Sequence, residues 1–487
     1  MSLRERYLFE KKPVDTRSLP DESLLYQTDL AAVRPLLDVA FACLTVGACI
    51  ALAATGWLTE FAFELSVFAI VLGVVAWSSA RLDDRRTIVA AFVVACLVRI
   101  AVVLLSHAVL PGGVWLQNDD FFYDSAGLAL AQAPWSSLFD IERLEALAQS
   151  FQFGYPLFVG IVYKFVGQQR LMVELTQAMI GAAAAPVAYW LASELYDTPT
   201  IARRVLWLSA LFPFDVAWVM FLLKDTVLLL VFTLATACLV TALKRRSVRW
   251  LVPLFLLYSI LYRFRAWALG IHGCAMILGL LALIAAWIWP RGGWRRWLAF
   301  LVMVTSAGVA IVLLVDPPKL EFWLLDVLLS KYEEIQNGVN TLGNLDAFEP
   351  LALSLSTAAI AEYAKFAVIY FLSPFWWASA SLPVWYTFYL GELLIWFLFP
   401  FSVIGYWSSL REGRPLWVLV GGILLIDLAV VVNISLGNYR ERTMIDTLFV
   451  VYASFGWEHR RGHKWMILGT YVAQMLVILI QVSTGKA

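Results

Sequence analysis

Residues Thr87 to Leu110, TIVAAFVVACLVRIAVVLLSHAVL, and the NDDFFYDSAG that begins at Asn118 decide how this chain is read. The first stretch is 24 residues long with one formal charge, Arg99, so a helix there is long and apolar enough to cross a bilayer. The second stretch then sets two adjacent carboxylates, Asp119 and Asp120, just beyond the end of a spanning helix. Charges at that depth, where a lipid head group meets water, suit a phosphate-bearing lipid and a hydroxyl awaiting deprotonation.

Working outward, 61% of the 487 residues are hydrophobic, 15% are charged, and 22 are Trp, which places the chain among polytopic membrane proteins. Lys+Arg and Asp+Glu both number 36, so net charge is zero and nothing points to a nucleic-acid partner; the charges fall between the apolar runs. Cys43, Cys49, Cys96, Cys238 and Cys274 all lie inside apolar runs without CxxC spacing and read as buried thiols. Arg4, Arg6, Lys11 and Lys12 precede no apolar core before residue 30, so the expectation is a cytoplasmic tail over 1–34 without a cleaved signal peptide.

The expected fold class is an all-α polytopic membrane protein. Spans are predicted near 35–57, 62–80, 87–110, 171–193, 203–221, 226–243, 250–262, 267–289, 297–315, 385–407, 416–435, 443–457 and 464–483, about thirteen in all. Basic clusters orient them. Arg81 with Arg85 and Arg86, Arg203-Arg204, Lys244 to Arg246, Arg291 with Arg295 and Arg296, Arg411 with Arg414, and Arg460-Arg461 are expected on the cytoplasmic side. For Asp119 and Asp120 to face the opposite side, Gly154 to Val166 must lie along the outer interface, being shorter than the roughly twenty residues a crossing needs. Glu362 to Trp377, broken by Pro374, joins a second outer loop. Residues 35–487 thus read as one membrane domain with large extracytoplasmic loops at 111–170 and 316–384, lengths that usually signal function. No internal repeat or phosphate-cradling Gly-rich loop is present in the sequence, which disfavours a transporter with its own ATPase.

Polar groups from distant segments are expected to converge on the outer side: Asp119, Asp120 and Tyr123; Lys224 and Asp225; Arg263 and Arg265; and Asn438, Tyr439, Arg440 and Arg442. Each has a plainer reading. Lys224-Asp225 is also what a solvated turn looks like, Asp119-Asp120 also suits a helix N-cap, and the arginines also serve as anchors. Basic residues outside nevertheless run against the positive-inside rule unless something anionic is bound, and an arginine grips phosphate in bidentate fashion. Arg99 and Asp427, near the middle of their spans, read as a structural ion pair. His107, His272, His459 and His463 show no ligand spacing.

With these residues in view the chain resembles the GT-C membrane glycosyltransferases, the superfamily of protein O-mannosyltransferases and lipid A aminoarabinose transferases. The resemblance rests on Asp119-Asp120 followed by Tyr123 and Ala126, on Gly154-Tyr155-Pro156, and on the helix pattern Arg170-Leu-x-x-Glu174-Leu-x-Gln177. Lys224-Asp225 and Asn438-Tyr439-Arg440-Glu441-Arg442 complete it. It covers mainly 118–245 and 430–457. The chain departs from the pattern where Gln152-Phe153 stand in place of an arginine before Gly-Tyr-Pro, and at Asp225, often Glu after Ser in that superfamily.

The resemblance implies transfer of a sugar from a polyprenyl-phosphate donor to a hydroxyl of a lipid, glycan or protein acceptor. The setting it implies is cell-envelope polysaccharide synthesis, at the extracytoplasmic face of a bacterial inner membrane. Asp119 or Asp120 would be the general base, and Lys224, Arg263, Arg265, Arg440 and Arg442, with Tyr123 and Tyr439, would meet the donor. Asp225 would orient Lys224 or join Asp119 and Asp120 around a divalent cation, Mg or Mn, of the kind part of the superfamily uses. Two other readings stay open: a polysaccharide polymerase or O-antigen ligase-like enzyme acting on lipid pyrophosphate glycans, and a flippase or transporter working through Arg99 and Asp427.

Overall fold

The computed structural model describes residues 59–80, 84–110, 113, 119–150, 152–196, 198–245, 247–265, 268–270, 273, 385–412, 416, 420–421, 423 and 443–483. The predicted spans near 35–57 and 297–315, most of those near 267–289 and 416–435, the 316–384 loop, and Asp427, Asn438, Tyr439, Arg440 and Arg442 lie outside the described residues. The chain divides into two units, 1–66 and 67–487. Of the first only 59–66 are described, as the opening of helix α1 (Thr59–Ser78). All later helices belong to the second.

Among the described residues the secondary structure is helical. Arg85–Val109 forms α2, Asp119–Gln132 α3, Ile141–Ala148 α4 and Gly154–Val166 α5, with a 3-10 turn at Trp135–Phe139. Arg170–Ala182 (α6) and Ala184–Leu195 (α7) are consecutive, as are Pro199–Leu211 (α8) and Pro213–Ala217 (α9). Asp225–Arg245 is α10, Leu251–Phe264 α11, Trp385–Glu412 α12, Asp446–His459 α13 and Lys464–Ser483 α14. Four stretches are long and apolar enough to cross a membrane: α2, α6 with α7, α10, and Leu390–Ser409 within α12. Over its most apolar stretch α10 is largely buried while α2 is mostly not, so α10 is the central post, packed by α6, α7, α11 and α13, and α2 keeps an open apolar flank.

Two predicted spans are interrupted, each for a prolyl reason. The 171–193 run breaks at Ala183 because Pro186, early in α7, has no N–H for the carbonyl four residues back. The 203–221 run breaks at Phe212, which is extended (ψ 110°) ahead of Pro213. That second break strands carbonyls of the last turn of α8 inside the bundle, and Arg99 answers them. Its Nη1 donates to the Ala210 carbonyl at 2.8 Å and to Ala95 of its own helix at 3.3 Å, with Asp215 of α9 supplying opposite charge. The same logic recurs at Pro400 inside α12. The Trp396 carbonyl that Pro400 cannot engage takes a 3.0 Å bond from the Gln474 amide of α14, and the next one, Phe397, takes one from the Tyr471 hydroxyl.

Helices α12 and α13 cross on glycine. A Cβ at Gly456 would overlap the Phe401 carbonyl oxygen and sit 2.7 Å from the Gly405 nitrogen, both backbone atoms that cannot turn aside. Gly456→Ala is therefore expected to cost about 1–3 kcal/mol by forcing the helices apart, read as a lowered melting temperature in detergent.

One end of the bundle is tied by ion pairs between helix termini. Asp84, just ahead of α2, takes Arg203 at 2.5 Å and the Tyr189 hydroxyl at 2.7 Å; Glu194 takes Lys244 and Arg245; Arg204 takes Glu458 at 2.7 Å. These contacts tie Arg203-Arg204 and Lys244-Arg245 to neighbouring helix ends. Hydrogen bonding from Arg203 holds the Asp84 carboxyl below its ordinary 3.8. Because the folded value is depressed, this stabilisation is complete above about pH 4 and is lost as pH falls through the folded value. Thermal melts between about pH 6 and about pH 3 should show that loss, and Asp84→Asn should flatten it.

Candidate functional site

The other end of the bundle gathers around Tyr155. Gly154 opens α5 against α11 so closely that a Cβ there would collide with the Phe264 ring and sit 3.0 Å from the Arg263 carbonyl carbon. That approach brings Tyr155, fully buried, 6.4 Å from Phe264 and edge-on to Tyr123 of α3 at 4.8 Å between centroids. The Tyr155 hydroxyl donates to Gln177 of α6 at 2.7 Å. The Gln177 amide donates onward to the Val219 and Phe221 carbonyls, in the irregular stretch between α9 and α10. Burial first, then the negative charge of Asp120, raises the Tyr155 hydroxyl well above its ordinary range, so it stays a neutral donor. The Gly154-Tyr155-Pro156 motif is thus the hub on which α3, α6, α11 and the approach to α10 converge.

Around that hub stand the residues named from sequence. Asp119 and Asp120 are the first two residues of α3, where the positive end of the helix dipole favours carboxylates. Their environments differ. Asp119 is partly exposed, whereas Asp120 is fully buried with Oδ2 held by Arg170 at 3.0 Å. Arg170 Nε is bound in turn to Glu174 at 2.5 Å, and the other Glu174 oxygen meets His107 Nε2, from the last turn of α2, at 2.6 Å. Asp225, the buried first residue of α10, faces Arg265 at 3.5 Å, while Lys224 donates to Gln152 at 3.3 Å. Asp225 thus lies beside Arg265, a pairing across the chain that the sequence did not suggest. Arg263 bonds Glu145 of α4 at 2.6 Å and lies over the Phe153 ring at 4.7 Å.

Asp119, Asp120 and Tyr123 on α3 and Arg263 and Arg265 at the end of α11 thus stand on elements packed on α5, while Lys224 reaches Gln152 just ahead of α5 and Asp225 faces Arg265. Tyr439, Arg440 and Arg442 are outside the described residues. Arg170 and Glu174 belong to the helix motif quoted from the sequence, but sequence reasoning assigned neither a role and did not link them to His107. The four-residue spacing of Arg170 and Glu174 puts both on one helix face.

Asp120 and Asp225 each face a guanidinium. Among the described residues no three His, Cys, Asp or Glu side chains stand together as a metal site. The arrangement sets one accessible carboxylate beside a clamped one, with cationic side chains held by neighbouring carboxylates and amides.

Comparison with protein-family models finds none that matches this chain. Comparison with curated proteins likewise finds no match.

Proposed function

We propose that this protein is a GT-C-like glycosyltransferase that moves a sugar from a polyprenyl-phosphate donor to an acceptor hydroxyl at the extracytoplasmic membrane face. About thirteen spans with outer loops at 111–170 and 316–384 form its frame. In this reading Asp119 is the general base. It removes the acceptor's proton as the acceptor oxygen bonds the anomeric carbon and the bond from that carbon to the phosphate oxygen breaks. The departing lipid phosphate is a weak base, so what it requires is cations in place as its charge is released. Lys224 and Arg265 are the candidates on the described elements, with Arg440 the candidate from the C-terminal motif.

The observation that carries the reading is the split character of the acidic pair. Asp120 is buried and ion-paired, while its neighbour Asp119 is partly exposed at a helix N-terminus, on elements that also bring in Lys224, Asp225 and Arg265. A pair serving only to cap a helix does not need a buried arginine reaching it from fifty residues away.

Purified protein in liposomes, given a polyprenyl-phosphate sugar and an acceptor, is expected to yield glycosylated product and free lipid phosphate with no imposed ion gradient. A cysteine placed at Asn118 should label from the extracytoplasmic side. Labelling only from the cytoplasm sinks the reading. Movement of the intact lipid-linked sugar, dependent on a gradient and without product, would favour the transporter. Turnover only of lipid pyrophosphate glycans would favour the polymerase or ligase.

A further inference from the structure

We propose that His107 and Glu174 are positioning residues: they hold the Arg170 guanidinium against Asp120 and so fix the direction in which Asp119 faces. The role given to Asp119 rests on the glycosyltransferase reading; the brace rests on geometry alone.

Every link is a direct contact between groups that are largely or wholly buried. Glu174 and Asp120 are both fully buried, the Arg170 side chain is 8% exposed and His107 is 18% exposed. A guanidinium is planar and rigid, so a partner on one edge fixes where its other nitrogens point. Glu174 Oε1 holds the Nε edge at 2.5 Å, and Nη2 is thereby directed to Asp120 Oδ2 at 3.0 Å. A carboxylate held at one oxygen can still swing about its own axis. His107 removes that freedom by engaging Oε2 at 2.6 Å.

The brace crosses elements. His107 ends α2, Arg170 and Glu174 begin α6, and Asp120 begins α3, so the start of α3 is pinned to the ends of two other helices. Gly113 closes over the histidine. Its φ of +80° belongs to the left-handed region, and a Cβ there would sit 3.0 Å from both Cε1 and Nε2 of His107 and 3.5 Å from Arg170 Nε. Tyr155 and Tyr163 of α5 also lie within the field of Arg170 and Glu174, which places the brace directly beside the hub. Since Asp119 is the immediate neighbour of the pinned residue, loosening the brace turns Asp119 without removing it. Misplacement of a catalytic group by about 1 Å can lower the rate on the order of a hundredfold.

The test uses full-length protein with polyprenyl-phosphate sugar as donor. Glu174→Gln keeps shape and drops charge, and should lower kcat at least about tenfold while donor KM stays within about threefold. His107→Leu should act alike. His107→Gln, whose amide can donate to Glu174, should recover kcat to within about threefold of the parent. That rescue is one that loss of folding would not show.

A second arm needs no activity. With the native cysteines replaced by Ala, Asp119→Cys is labelled by a water-soluble maleimide. Adding Glu174→Gln or His107→Leu should change the labelling rate by at least about threefold, and His107→Gln should restore it. Unchanged kcat together with equal labelling rates overturns the brace. If the parent protein transfers no sugar, the glycosyltransferase reading fails, and the labelling arm alone decides the brace.

Discussion

Asp119→Asn is expected to lower sugar transfer by about a hundredfold or more, because the amide keeps size and hydrogen bonding but cannot take a proton. Asp120→Asn is expected to behave differently. It removes one of the two carboxylates that hold Arg170, so the loss should be accompanied by a lower melting temperature as the buried guanidinium keeps only Glu174 as a counter-charge. The two variants should therefore separate on a plot of kcat against stability, with Asp119→Asn inactive and well folded. Steady-state transfer at matched folded protein, alongside thermal unfolding, measures both. If Asp119→Asn turns over normally while Asp120→Asn is inactive at full stability, the assignment of the base is reversed.

Arg99→Met should produce a large stability loss outside the site, on the order of 3–5 kcal/mol, because it removes the positive charge that buried Asp215 attracts and strips the Ala210 carbonyl of its donor. Transfer per folded molecule should be unchanged, since Arg99 acts on the break in α8 and not on the acidic pair. Pairing the substitution with Asp215→Leu should recover much of the loss. Reversible unfolding in detergent reads the first claim, and kcat normalised to folded protein reads the second. Loss of kcat at full stability would return Arg99 to the working charges of a transporter.

Much of the helical layout was legible in sequence because its causes are local. The bounds of α5 coincide with the thirteen-residue segment too short to cross, from the turn-forming Gly154 to the last apolar residue before Gly167. The start of α2 falls at Arg85-Arg86 and its end precedes Pro111, while both ends of α10 follow flanking charges. Pro213 announced a break that the hydropathy of 203–221 concealed, since Phe and Trp on both sides kept the average apolar. The break at Ala183 was harder to see, because Pro186 sits three residues beyond it among alanines. The site was legible only as a set of residue types. Asp120 meets Arg170 across fifty residues and His107 meets Glu174 across 67, separations at which no period or spacing carries a signal. His107 looked inert because its partner is a carboxylate on another helix and not a second ligand at helical spacing. For Arg99 the sequence suggested Asp427, outside the described residues; the partners seen are the backbone carbonyls of Ala95 and Ala210, which sequence patterns do not advertise.

The guanidinium at the middle of α2 also sets a timetable for biogenesis. Its acceptor, Ala210, lies 111 residues later in the chain, so at about 5–20 residues per second the ribosome delivers it roughly 6–22 s after Arg99. Throughout that interval α2 is a nascent segment carrying a charge whose mate has not been made. It must wait beside the translocation machinery, or snorkel toward a lipid head group, until α8 emerges with its prolyl break. A chain arrested before residue 210 should therefore leave α2 loosely integrated and open to extraction, and one arrested after residue 215 should not. On this expectation the cap that completes a broken helix in the finished protein also sets when an earlier helix becomes firmly held.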